Sequence, residues 1–112
     1  MDNLNYGTLL KSTLTEFVEL SGRQQKPDVE TILIADEQRG HYLWLKLGWE
    51  DGKRVKYIIV YVRLRDGKFW IEEDWTEEGI ATELVRSGVP QDDIVLAFKA
   101  PEERHMTGFA VA

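Results

Sequence analysis

The spacing of hydrophobic and polar positions changes several times along the chain, and each change marks an element. Over residues 3–20 the apolar residues recur at helical intervals, with Leu10, Leu14, Phe17 and Val18 on one face. Leu4 and Tyr6 extend that face, Asp2 or Asn3 is placed to cap its start, and Gly22 to end it in a left-handed conformation. Gly7, Thr8, Thr13 and Thr15 are weak helix formers, so this helix needs a body to pack on. After a polar linker over 21–28 the period drops to two. Residues 29–35, VETILIA, are rich in β-branched side chains and read as a first strand. Residues 41–49 read as a second, with Leu43, Leu45, Leu47 and Trp49 on one face and Tyr42, Trp44 and Lys46 on the other. Residues 54–65 set Ile58, Val60, Val62 and Leu64 against Tyr57, Ile59, Tyr61 and Arg63. Residues 68–74 set Phe69 and Ile71 against Trp70, Glu72 and Asp74. A polar turn at 36–40 and the pairs Asp51-Gly52 and Asp66-Gly67 join these runs as hairpins.

A second helix follows the fourth strand. Thr76 is its expected N-cap, with Glu77 and Glu78 in a first turn where the helix dipole favours anions. Ile80, Leu84 and Val85 make its apolar stripe, and Gly88 and Pro90 stop it. Residues 91–93 suit a tight turn, 94–98 are an apolar run too brief to classify, and Pro101 can open a last helical turn. The terminal residues 109–112, FAVA, are apolar enough to be pinned to the body or to a partner. Short turns join antiparallel neighbours. The expectation is therefore one α+β domain over 1–112: an antiparallel meander of about four strands, an N-terminal helix and a short helix packed on it, and an irregular C-terminal segment. Leu43, Leu45, Val60, Val62, Phe69 and Ile71 are expected under the helices. Tyr42, Trp44, Tyr57, Tyr61 and Trp70 are expected on the opposite face, either as a partner surface or beneath the C-terminal segment.

Composition narrows the chemistry. The chain has no cysteine, which removes disulfides, thiolate metal sites and cysteine nucleophiles and suits a reducing cytoplasm. Its start is acidic rather than basic, unlike a signal peptide, and no apolar run approaches the length of a membrane span. The net charge of −6 is uneven: residues 1–65 hold ten basic and nine acidic side chains, residues 66–112 four and eleven, a net of +1 against −7. An acidic half disfavours direct contact with a phosphate backbone.

Four constellations could carry chemistry. Glu72, Glu73, Asp74, Glu77 and Glu78 could hold a divalent ion or act as acid and base, but no lysine, histidine or glycine-rich loop completes such a site; the simpler reading is a solvated strand end and an acidic helix start. His41 and His105 have no metal-like spacing, and Ser12, Ser21 and Ser87 lie in no nucleophile motif. Lys53, Arg54, Lys56, Arg63 and Arg65, interleaved with Tyr57 and Tyr61, form a candidate nucleic-acid strip or a charged strand that resists aggregation. The aromatic residues Trp44, Tyr57, Tyr61 and Trp70, followed by the acidic junction, have the composition of an interface core.

The run DGKFWIEEDWTEEGIATELVRSGVPQDDIVLAF over 66–98, then Pro101, Arg104, Thr107 and the terminal FAVA, resembles the XisI-like family of fdxN-element excision controlling factors. HYLWLKLGWEDGKRV over 41–55 follows the same order more loosely. Trp75 stands where a smaller residue is usual, and Ala97 where glycine is common. The resemblance implies a small cytoplasmic cyanobacterial α+β protein without assigned catalytic residues. It also implies a role beside a nuclease-like companion, XisH, in controlling excision of a DNA element by a separate recombinase. On this reading the chain is a non-enzymatic regulator needing no cofactor or metal. Its expected partners are a XisH-like protein and a second copy of itself. The expected contact surface is Trp44, Tyr57, Tyr61, Trp70, Glu72, Asp74, Trp75, Glu77 and Glu78. Direct nucleic-acid binding through the third strand is the alternative. A metal-dependent hydrolase using Glu72, Asp74 and Glu78 is the third class.

Overall fold

Helix α1 (Tyr6–Gly22) starts where the Asn5 side chain accepts the Thr8 backbone N–H at 3.0 Å. The structure, a computed structural model, describes residues 5–23 and 26–112; the caps expected at Asp2 or Asn3 and the extension through Leu4 lie outside them. Gly22 is not a left-handed stop: it is the last helical residue, and Arg23 follows in ordinary right-handed geometry. Leu10, Thr13 and Leu14 are buried beneath the helix, which explains the threonine. Gly7 is explained by proximity, since a Cβ there would lie 2.8 Å from the hydroxyl of buried Tyr42.

The sheet runs in chain order: β1 (Val29–Asp36), β2 (His41–Glu50), β3 (Lys53–Arg65), β4 (Lys68–Asp74) and β5 (Ile94–Leu96). Asp51-Gly52 and Asp66-Gly67 all have positive φ, the primed turn that matches strand twist. Helix α2 (Ile80–Arg86) carries the chain back, so the short run at 94 becomes a fifth strand parallel to β4. The last residues are held by the body: the Ala110 N–H donates to the Ile94 carbonyl at 2.8 Å.

The buried face differs from expectation. Tyr42 and Trp44, 1% and 5% exposed, lie under the helices with Val60, Val62, Phe69 and Ile71, while Leu43, Leu45 and Leu47 face the other way. Both faces of β2 are apolar, and the larger side chains took the covered one. Trp44 keeps its indole N–H satisfied there by the Thr31 hydroxyl at 2.5 Å. Two bulges complete the difference. Trp44 pairs with Val60 but Leu45 with Ile58, so Ile59 is an extra residue in β3; Tyr61 pairs with Glu73 but Val62 with Ile71, so Glu72 is extra in β4. Below the first bulge the alternation of β3 reverses. Ile59 joins Val60 in the core, Tyr57 turns to the helix side and Ile58 to the opposite side.

On that opposite side the C-terminal segment covers only the β4–β5 end. The Arg104 guanidinium sits 5.8 Å from the Trp70 ring and donates to the carbonyls of Lys99 and Ala97 at 3.1 and 3.3 Å.

The Tyr6 hydroxyl donates to the Asp93 carboxylate at 2.5 Å, joining the start of α1 to the turn before β5. Burial, with the hydrogen bond to Asp93 and its negative charge, pushes the phenol up to about 12. The unfolded chain loses this proton near pH 10, so the contribution is complete below that pH and is lost as pH rises towards 12. Alkaline titration of thermal stability is expected to show a decline in this window that Tyr6→Phe reduces, at a cost near neutral pH of about 1 kcal/mol. An unchanged alkaline profile in the variant would contradict the assignment.

Candidate functional site

The β4–α2 junction is organised by one carboxylate. Asp74 Oδ1 accepts the Thr76 N–H at 2.9 Å and its hydroxyl at 2.6 Å, and Oδ2 accepts the Ile80 N–H at 2.7 Å. Thr76 Oγ1 in turn accepts the Gly79 N–H at 3.1 Å. Thr76 is thus not the N-cap of α2. The helix starts at Ile80 after Gly79, whose φ of 87° suits glycine, and Asp74 reaches across six positions to its first N–H. Glu77 and Glu78 therefore project from a loop and not from the first helical turn.

Held this way, the loop forms one wall of an open cleft of about 930 Å³ on the helix side of the sheet. Trp44, Tyr57 and Ile59 line it from the sheet, Phe17 and Leu20 from the end of α1, and Trp75 and Thr76 from the loop. Phe17 stacks on Trp44 with ring centroids 6.1 Å apart. Arg23 and Lys46 line the cleft with positive charge, Glu77 and Glu78 with negative. Trp75 is 72% exposed, yet its indole N–H donates to Glu73 at 2.7 Å and its backbone N–H to the Ile59 carbonyl at 2.9 Å. Tyr57 is 52% exposed.

Five of the nine expected surface residues meet here: Trp44 as a buried floor, and Tyr57, Trp75, Glu77 and Glu78 around it. Asp74 is adjacent but serves the loop. Tyr61, Trp70 and Glu72 are elsewhere, on the opposite face of the sheet. There the Tyr61 hydroxyl is 2.8 Å from His41 Nδ1, Glu72 accepts from the Arg63 Nε at 3.0 Å, and the Trp70 indole donates to the Arg65 carbonyl at 3.0 Å. Sequence reasoning passed over Phe17, Leu20, Arg23, Lys46 and Ile59 as cleft residues. Leu20 lies three positions after Phe17 and carried a helical signal; nothing in the sequence marks the bulge that turns Ile59 inward.

The carboxylate and basic constellations do not assemble. Glu72 pairs with Arg63, Asp74 caps the loop, and Glu78 lies 3.8 Å from Arg86, so these carboxylates face separate surfaces. Among the described residues no three His, Asp or Glu side chains gather as metal ligands. The basic residues are strung along a strand of about 40 Å. Lys53, Arg54 and Lys56 occupy one end, where Arg54 stacks on Trp49 at 5.4 Å; Arg63 and Arg65 occupy the other, tied to Glu72 and stacked on Trp70 at 5.2 Å. No helix among the described residues is long and apolar enough to cross a membrane.

The family model described as XisI protein matches residues 1–111. Two solved structures share the fold. One, a XisI-like protein from Anabaena variabilis ATCC 29413, is 37% identical, with 96% of each chain covered and a TM-score of 0.90. The other, the fdxN element excision controlling factor XisI from the same organism, is 42% identical over 96% of this chain and 100% of that one, with a TM-score of 0.75. A comparison with curated proteins finds no match. None of the matching descriptions names an enzymatic activity.

Asp74→Ala removes a side chain that accepts three hydrogen bonds. Thermal and chemical denaturation should register a loss of about 2 kcal/mol, or about 8 °C in midpoint. Stability equal to the parent's would show that the loop is held by other contacts.

Proposed function

We propose that this chain, which belongs to the XisI family, is a non-enzymatic regulatory protein that acts by binding a protein partner through the cleft beside the β4–α2 loop. The observation that carries this reading is Trp75: a large aromatic side chain, mostly exposed, fixed by two hydrogen bonds beside the half-exposed Tyr57. Rigid Trp and Tyr side chains over a dry floor are the usual anchors of interfaces, because little rotamer freedom is lost when they are covered. Glu77 and Glu78 beside them favour a partner whose contacting surface is basic.

One similar solved protein is named as an excision controlling factor of the fdxN element. Applied to this chain, that description supports a part in the control of excision of a DNA element, and the cysteine-free sequence suits a cytoplasmic setting. Its partner on this reading is a XisH-like, nuclease-like companion with a cationic DNA-handling surface. The acidic loop, in a half of the chain with net charge −7, would dock on that surface and compete with DNA for it, as an antitoxin-like inhibitor does.

Titration calorimetry or pull-down with the companion, over a salt series, tests the proposal. Trp75→Ala is expected to weaken binding by about 2 kcal/mol, roughly thirtyfold. The double variant Glu77→Gln/Glu78→Gln should weaken it less and flatten its salt dependence. Binding that ignores both variants and salt would refute the cleft as the docking site.

A further inference from the structure

The face of the sheet opposite the cleft is apolar and open at its β1–β3 end. Ile32, Ile34, Leu43, Leu45, Leu47 and Ile58 lie together there by register, half-buried or exposed, and none belongs to the core cluster. Leu45, Leu47 and Ile58 line a shallow depression of about 450 Å³, bordered by Lys56, Tyr57 and Glu73. Isolated apolar side chains on a surface are ordinary, but a contiguous patch marks an interaction site. The C-terminal segment does not close it, because it is committed to the β4–β5 end and tied down at Ala110.

The charges bordering the patch identify what covers it. One row across the sheet reads Glu30, Leu47, Lys56; the row at the other end reads Asp36, His41, Arg63. The β1 residues of both rows are acidic and the β3 residues basic; Asp36 already holds Arg39 and Arg63 already holds Glu72 within the chain, so Glu30 and Lys56 are the open pair. Glu30 and Lys56 are exposed, and neither is held in an ion pair among the described residues. Two strand spacings, about 10 Å, keep them apart within one chain. A two-fold axis running along β2 would lay β1 of one copy over β3 of the next with rows in register. Glu30 then faces Lys56 of the second copy, Asp36 faces its Arg63, and the apolar rows meet in the middle. An axis across the strands would set acid on acid and base on base. We propose that this face binds a second copy of the chain, sheet against sheet, about a two-fold axis along β2.

Such an interface is isologous and closes on itself. Aligned packing of twisted sheets suits it. Three strands by eight residues give a patch of about 14 Å by 25 Å, short of the roughly 800 Å² per partner of a standard complex, so the dimer is reversible. It lies across the sheet from Trp75 and leaves the cleft free. Its failure would leave the proposed partner docking untouched.

Sedimentation equilibrium from micromolar to millimolar concentration provides the test, with circular dichroism as the check on folding. The parent chain should pass from monomer to dimer, and Leu45→Lys should remain monomeric. Glu30→Lys and Lys56→Glu should each weaken association about tenfold, since each reverses two symmetry-related pairs. Combining them should restore it to within about threefold of the parent. A monomer at every concentration, or a dimer indifferent to Leu45→Lys, would overturn the proposal. So would a double variant no tighter than the singles, because the axis would then be wrong. The two charge reversals lie at exposed positions, so they decide the matter even if Leu45→Lys does not fold.

Discussion

Ile59 is one residue more than β2 can pair, and the sheet absorbs it by letting β3 slip in phase between Val60 and Ile58. A strand has only two faces, so that slip reassigns every side chain below it. Ile59 joins Val60 in the core, Tyr57 reaches the wall of the cleft, and Ile58 is delivered to the apolar patch behind. Without the extra residue Tyr57 would project from the back, and the cleft would lose a wall.

Asp74 does at the other side of the cleft what the bulge does in the sheet. A carboxylate that accepts three hydrogen bonds fixes the exit from β4, the intervening loop and the first N–H of α2 at once. Glu77 and Glu78, between these fixed points, stay exposed. The sequence is dense in carboxylates, yet among the described residues no three of them gather as metal ligands. Its acidic groups are dispersed: Glu72 on the Arg63 guanidinium, Asp74 on the start of α2 and Glu78 beside Arg86.

Much of this was legible in the sequence, because local rules governed it. The paired Asp-Gly turns, the four antiparallel runs, the stop at Gly88 and the family resemblance in the acidic stretch all depend on near neighbours. What was not legible depended on choices between equals. Leu43 and Leu45 competed with Tyr42 and Trp44 for the covered face, and periodicity treats both sets as apolar. Only the seat offered by α1, with Gly7 against Tyr42 and Phe17 against Trp44, decides between them. The fifth strand is three residues long and pairs in parallel across a helix, beyond the reach of any turn signal. Thr76 has the right chemistry for a cap, but Asp74, two residues earlier, accepts the first helical N–H instead. Nine candidate surface residues were named as one group, and the sheet divided them by face.

The first half of β3 extends past the end of β4 and pairs on one side only, since the register of the two strands begins at Val60. A bare edge invites the same edge of another molecule, and the outcome would be open-ended stacking. Lys53, Arg54 and Lys56 sit on that overhang, exposed. Their mutual repulsion between copies makes edge-to-edge growth unfavourable and directs self-contact toward surfaces where opposite charges meet. Three of the five residues of the basic strip thus lie where an unpaired strand edge calls for charge. Their protection extends over about one Debye length, roughly 8 Å in physiological salt, and thins as ionic strength rises.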